Sequence, residues 1–96
     1  MKNQKMTLEQ KADKLRNMPN VSIRVDNSTH YTFAFQKGGE ALVYIKGKKF
    51  KVKYPGTLLY ALAGEKEDFF LELETLSGER EKPIFLTGIK IYPAIW

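Results

Sequence analysis

The sequence predicts one α+β domain, mostly β, in which an N-terminal helix packs on a small, strongly bent antiparallel sheet or partly open barrel of about six strands. Two observations support this. Helical spacing of apolar residues is clear at residues 7–18, whereas apolar and polar residues alternate in most of the short runs from residue 21 onward. With 96 residues, the chain can form one hydrophobic core but not two.

The predicted helix has a start signal, an apolar face and a stop signal. Thr7 is a suitable N-cap, and Gln10 three residues later completes a capping-box pattern. Pro19 ends the helix. The helix then belongs to a compact domain of residues 7–96, and residues 1–6 are expected to be a flexible N-terminus. Its apolar stripe consists of Leu8, Ala12, Leu15 and Met18.

Six alternating runs follow the helix and are predicted to be strands. Gly47 is expected to form a tight hairpin with a positive φ, and Gly88 to bend the last strand. Such a chain has the general build of the SH3-like, Sm-like and OB families, a likeness that carries no function by itself. The runs are residues 21–25, 31–36, 41–45, 49–54, 69–76 and 84–92.

Residues 57–63 are compatible with either a helix or a buried strand. They are rich in leucine and alanine, which favours a short helix capped by Thr57 and ended by Gly64. Because this run is apolar almost throughout, its periodicity does not decide between the two structures.

Composition argues against several classes of protein. The chain has no cysteine, which excludes disulfides and cysteine-based metal sites. Its N-terminus lacks the apolar segment of a signal peptide, and no apolar run approaches the ~20 residues of a membrane span. We therefore expect a cytoplasmic protein that does not bind a membrane and that carries no metal or other cofactor.

Residue patterns for catalysis are also weak. His30 is the only histidine, and none of the serines lies in a G-x-S-x-G motif. Glu72 and Glu74 could share one face of a strand as an acid/base pair, but the solvent side of an amphipathic strand explains them equally well. We expect no catalytic residues and no enzyme activity.

Positive charge is concentrated in the first half of the chain. Residues 1–56 hold twelve Lys/Arg and four Asp/Glu, whereas residues 57–96 hold four Lys/Arg and seven Asp/Glu. Such a chain either binds an anion with its first half or neutralises itself when the two halves pack together.

A row of lysines around one hairpin is the candidate anion site. Alternate residues of a strand lie about 6.6–6.8 Å apart on one face, a pitch close to the phosphate spacing of an extended nucleic-acid strand. Single-stranded nucleic acid or a nucleotide is therefore a candidate ligand. Alternatively, the row pairs with Glu72 and Glu74, or protects an edge strand from aggregation. The row consists of Lys46, Lys48, Lys49, Lys51 and Lys53.

Aromatic residues indicate a second candidate surface. Tyr44 and Phe70 lie opposite the predicted core face of their strands, where they could bind another protein or a second copy of the chain. Trp96 is expected to cap the open end of the barrel against the Leu8–Leu15 stripe, and otherwise to anchor a partner.

The sequence thus predicts a small non-enzymatic binding module. Protein–protein interaction is the favoured mode, because exposed aromatic residues suit a partner protein or a homo-oligomer. Chains of this size are often accessory or inhibitory proteins of phages and other mobile elements, which favours such a role here. Nucleic-acid or nucleotide binding through Lys46–Lys53 is the alternative.

Overall fold

A computed structural model describes residues 6–26 and 29–91. Within them the chain forms two helices and eight strands, arranged as a six-stranded antiparallel sheet and a two-stranded ribbon. The predicted α+β, mostly β fold is confirmed. Residues 1–5, 27–28 and 92–96 lie outside the described residues, and the predicted cap or anchor at Trp96 lies among them.

The helices are α1, Leu8–Arg16, and α2, Pro55–Ala63. The strands are β1, Val21–Val25; β2, Thr29–Phe35; β3, Ala41–Ile45; β4, Lys48–Val52; β5, Phe69–Leu71; β6, Leu73–Glu74; β7, Ile84–Leu86; and β8, Lys90–Ile91. The order in the main sheet is β6-β4-β3-β2-β1-β8, and β5 pairs with β7 in the ribbon. Neither helix is long and apolar enough to cross a membrane.

Helix α1 begins at the predicted capping box. The Thr7 hydroxyl accepts a hydrogen bond from the Gln10 backbone N–H at 3.1 Å, and the Thr7 N–H donates to the Gln10 side chain at 2.8 Å. Ala12 and Leu15 are fully buried. Leu8 is 47% exposed, so its predicted place in the buried stripe is wrong. It lies beside Gly64, where α2 ends and no longer covers α1.

Residues 57–63 are helical, but the predicted cap at Thr57 is wrong. Helix α2 already begins at Pro55, and Tyr54 is its N-cap. Proline suits the first position of a helix, because its φ is already helical and its missing N–H would have no partner there. Strand β4 consequently ends at Val52, and Tyr54 is 50% exposed instead of lying on the core side of a strand.

The central strands form successive hairpins. Strand β1 pairs with β2, β2 with β3, and β3 with β4, all antiparallel. The β3–β4 turn contains Lys46 with φ 49° and Gly47 with φ 81°, so the predicted positive φ of Gly47 is confirmed. Two successive positive φ values match the twist of a two-residue hairpin.

Two predicted strands change partners along their length, which turns six strands into eight. Residues 69–74 break at Glu72, so that β5 pairs in the ribbon and β6 pairs with β4. Residues 84–91 break near Gly88, so that β7 pairs with β5 and β8 pairs with β1. The ribbon therefore links the two edges of the main sheet. The strands bend strongly where they pass from the sheet into the ribbon, as the sequence predicts.

The bend at Gly88 is stabilised by contacts with the end of β1. Gly88 has a φ of 62°, and a Cβ at this position would lie 2.9 Å from an Asp26 carboxylate oxygen. The Thr87 hydroxyl donates to the same carboxylate at 2.7 Å. The positive φ favours glycine here, and any side chain would also displace the Asp26 carboxylate.

The two helices and the concave side of the strands enclose one core. Helix α1 packs chiefly on α2, and the Tyr60 hydroxyl donates to the Glu9 carboxylate at 2.9 Å across this interface. The largest fully buried side chains are Phe33, Leu15, Ile23, Leu62, Leu71, Leu73, Leu86, Val21 and Val43.

Leu15→Ala and Leu8→Ala compare a buried and an exposed leucine of the same helix. We expect Leu15→Ala to lower the free energy of unfolding by about 2–5 kcal/mol, because it leaves a cavity between α1 and the core. Leu8→Ala should change it by less than about 1 kcal/mol, because Leu8 is half exposed. Urea unfolding followed by circular dichroism measures both. Equal losses would contradict the packing of α1 described above.

Candidate functional site

The strand register divides the lysine row between the two sides of β4. Lys49 lies opposite Tyr44 and Lys51 opposite Leu42, both on the outer side of the sheet. Lys48 lies opposite Ile45, which packs against the core, and therefore takes the other side of the strand although it is exposed. The structure thus brings Lys49 and Lys51 together and separates Lys48 from them, while Lys46 occupies the turn.

Lys53 lies beyond the end of β4 and contacts a different group of residues. Its backbone N–H donates to the Glu72 carbonyl at 2.9 Å. Its Nζ atom lies 5.4 Å from the centre of the Tyr54 ring, a distance suited to a cation–π interaction. Lys53 therefore continues the row from Lys51 toward Tyr54.

Of the two glutamates that could neutralise the lysine row, only Glu74 lies directly opposite one of its lysines within the main sheet. Lys51 lies opposite Glu74 on the adjacent strand β6, whereas Glu72 lies in the break between β5 and β6. Among the described residues, the ion pairs within 4.0 Å are Lys11–Glu65 and Arg16–Asp13, and neither involves the lysine row. Glu74 is a cross-strand neighbour of Lys51 without a direct ion pair.

A second group of basic residues lies on the same outer side, on β1, β2 and β8. Arg24 lies opposite His30 on one flank and opposite Lys90 on the other. The Arg24 Nε atom donates to the His30 Nε2 atom at 3.4 Å. The sequence alone does not reveal this group, because residues 24, 30 and 90 become neighbours only through strand pairing. The available signal was that Arg24 and Lys90 each lie between apolar residues.

Tyr44 lies between the two basic groups. It is 40% exposed, it faces Thr32 on β2, and the Lys49 Nζ atom lies 5.1 Å from its ring centre. Thr32 in turn pairs with Ser22 on β1, so small polar residues occupy the surface between Tyr44 and Arg24. We call this surface the basic face, and it consists of Arg24, His30, Tyr44, Lys49, Lys51 and Lys90.

The basic face carries an excess of positive charge. At the outward strand positions within residues 6–26 and 29–91, Glu74 is the only carboxylate, against four Lys/Arg side chains. From Lys49 on β4 to Lys90 on β8 the sheet takes four strand-to-strand steps. At ~4.8 Å each, these steps span roughly 19 Å. This length matches several nucleotides of an extended strand.

An aromatic pair lies on the ribbon. Phe70 and Phe85 face each other across β5 and β7, with ring centroids 4.7 Å apart and planes tilted by 45°. They are 66% and 52% exposed. Phe70 was predicted to bind a partner together with Tyr44, but the structure places Phe70 against Phe85 and Tyr44 on the basic face.

A groove separates helix α2 from the ribbon and has a volume of about 310 Å³. Its apolar surface includes buried side chains of β4, α2 and β5, and Tyr54 and Phe70 contribute exposed rings. Lys66 and Glu72 contribute charged groups. The lining residues are Val52, Tyr54, Thr57, Leu58, Tyr60, Ala61, Lys66, Phe69, Phe70, Leu71 and Glu72.

Titratable groups of the described residues form no metal-ligand cluster: three or more His, Asp or Glu side chains do not converge anywhere in residues 6–26 and 29–91. Burial raises the pKa of the Tyr31 phenol above its usual value, since the charged form is poorly solvated in the core. Tyr31 faces the core rather than the basic face or the groove.

Comparisons of the chain with protein-family models, curated proteins and solved structures found no match. The chemistry of the basic face, the aromatic pair and the groove is therefore the guide to function.

Replacing Lys49, Lys51 and Lys53 together by glutamine tests whether the lysine row stabilises the fold. We expect the free energy of unfolding to change by less than about 1 kcal/mol, because cross-strand charges at the protein surface contribute little. Chemical denaturation measures the change, with Leu15→Ala as a destabilised reference. A loss comparable to that of Leu15→Ala would show that the row is an internal charge lattice with Glu74.

Proposed function

We propose that the protein is a non-enzymatic binding module that holds single-stranded nucleic acid on the basic face. The observation that carries the proposal is the position of Tyr44, an exposed ring between two groups of basic residues. Single-strand binders combine a positively charged surface for phosphates with aromatic rings on which bases stack. The lack of cysteine suits action inside the cell.

The geometry favours a single strand over a duplex. Lys49 and Lys51 are two residues apart on one strand, so their separation of about 6.6–6.8 Å is close to the phosphate spacing of an extended chain. Their positive charges displace counterions from the phosphates. Tyr44 can stack only on a base whose face is free, and bases inside a duplex have none. The ring therefore adds affinity for single strands alone.

This proposal differs from the interaction that the sequence favoured. The sequence favoured protein–protein binding with Tyr44 and Phe70 as first candidate residues, and the two side chains belong to different contacts in the structure. Tyr44 has a lysine as its ring neighbour, whereas Phe70 has another phenylalanine. The ring beside the lysine suits a polyanion, because phosphate and base can be bound side by side.

The double variant Lys49→Gln/Lys51→Gln tests the phosphate contacts. We expect weaker binding of a short fluorescent oligonucleotide, measured by anisotropy, and a dependence on log salt that is flatter by about 1.4, from about 0.7 per lost contact. Lys37→Gln/Lys82→Gln removes the same charge from exposed residues outside the basic face and should bind like the unaltered protein. Equal effects of the two variants would show only nonspecific attraction.

Tyr44→Leu tests stacking in the same assay. We expect single-strand affinity to fall about 5- to 150-fold, which corresponds to the loss of one base–aromatic stack. Affinity for a duplex of the same sequence should not change. If the variant binds single strands as well as the unaltered protein does, Tyr44 is not part of the site. If the unaltered protein does not bind single strands even at low salt, the proposal is wrong.

A second copy of this chain is the second candidate partner, and the Phe70–Phe85 pair favours it. Two phenylalanines in contact that are 66% and 52% exposed form an apolar patch at the surface of a small protein. Burying the same patch on two copies would remove both from water and give a closed dimer. An accessory or inhibitory role through another protein would use the same patch.

Phe70→Ser/Phe85→Ser tests this second candidate. We expect the apparent mass of the unaltered protein in sedimentation to rise with concentration, and the mass of the double variant to stay monomeric, because the apolar contact is lost. Leu76→Ser is the control, since Leu76 is 56% exposed outside the pair. A monomeric mass of the unaltered protein at high concentration would exclude the dimer.

A further inference from the structure

We propose that the groove between α2 and the ribbon binds one base of the nucleic-acid strand, and that it prefers guanine. This inference rests on the proposed function, because it assigns the groove to a strand already held by the basic face. It adds base selectivity, which phosphate contacts and the ring of Tyr44 do not supply.

The lysine row leads from the basic face to the groove. Lys51 is the last residue of β4 that faces outward, and Lys53 follows two residues later. The Lys53 Nζ atom lies 5.4 Å from the centre of the Tyr54 ring, and Tyr54 lines the groove. A phosphate bound to Lys53 would therefore have its nucleotide beside Tyr54.

The size and surface of the groove suit one base. A volume of about 310 Å³ is at the lower end of the ~300–1,000 Å³ typical of small-ligand pockets. Buried Leu58, Ala61 and Leu71 provide an apolar floor. Tyr54 and Phe70 are half or more exposed and provide rings for stacking. Flat aromatic ligands gain most from such a combination.

Charged groups on the groove surface select the base edge. The Glu72 carboxylate only accepts hydrogen bonds, and Lys66 only donates them. Guanine presents two adjacent donors, N1–H and the N2 amino group, which one carboxylate can accept together, and it presents O6 as an acceptor for an ammonium group. Uracil and thymine have one donor between two carbonyl oxygens, which repel a carboxylate. Glu72 and Lys66 thus complement guanine better than uracil or thymine.

The same charges argue against a wholly apolar occupant. An aliphatic side chain of a partner protein could cover the apolar floor, but it would remove water from Glu72 and Lys66 without replacing their hydrogen bonds. Leaving buried charges unpaired is unfavourable. A base covers the floor with its face and satisfies the charged groups with its edge.

Two fluorescent hexanucleotides test the inference, one containing only uridine and one with a single guanosine among uridines. We expect the unaltered protein to bind the guanosine oligonucleotide at least about fivefold more tightly, which is the lower range for one bidentate base contact. Glu72→Gln loses the charge and the second acceptor and should reduce this ratio toward one. Glu81→Gln, which removes an exposed carboxylate outside the groove, should leave the ratio unchanged.

Tyr54→Leu and Tyr44→Leu separate the groove from the basic face. We expect Tyr54→Leu, which keeps apolar volume but removes the ring, to reduce the guanosine preference. Tyr44→Leu should weaken both oligonucleotides by a similar factor and leave the preference intact. Because both tyrosines are 40% or more exposed, neither change should alter the melting temperature by more than a few degrees.

The outcomes distinguish failure of this inference from failure of the proposed function. No binding of either oligonucleotide would overturn both. Binding that depends on Lys49 and Lys51 but shows no guanosine preference would overturn the inference alone. A preference that persists in Glu72→Gln and Tyr54→Leu would place base selection outside the groove and would also overturn it.

Discussion

The exchange of strand partners at Glu72 and near Gly88 is the constraint on which the rest of the structure depends. Each break lets one chain segment leave the main sheet and pair in the ribbon, so that the ribbon links the sheet's two edges. The bend at Gly88 is possible because glycine tolerates its positive φ and leaves room for the Asp26 carboxylate. Without this closure, β4 and β1 would be exposed edges that could pair with other chains.

Closure also positions each surface feature. It places Glu74 opposite Lys51 and Lys90 opposite Arg24, which sets the charge at both ends of the basic face. It turns Phe70 and Phe85 outward, because Leu71 and Leu86 on the same strands face the core. The groove arises because the ribbon leaves the main sheet beside α2. The two breaks in the strands thus determine which residues are neighbours on several surfaces.

Helix α2 completes the core from the other side. Its buried residues are almost continuous along the chain, which is the pattern of a helix covered on most sides. Helix α1 covers one side and the strands another. The same start of α2 at Pro55 shortens β4 and releases Tyr54 to the surface, where it lies between Lys53 and the groove. The position at which α2 begins therefore determines that the Tyr54 ring is exposed.

The sequence by itself determined the features that depend on neighbours in the chain. The capping box of α1, the hairpin at Gly47 and the alternation of Lys49 and Lys51 follow from local backbone geometry and side-chain period. Only the tertiary structure decided which strands pair and where two of them change partners. It thereby placed Arg24, His30 and Lys90 on the same face of the sheet as Tyr44, and it placed Phe70 against Phe85. Strand register depends on contacts between distant segments, and periodicity along one segment carries no information about its partner.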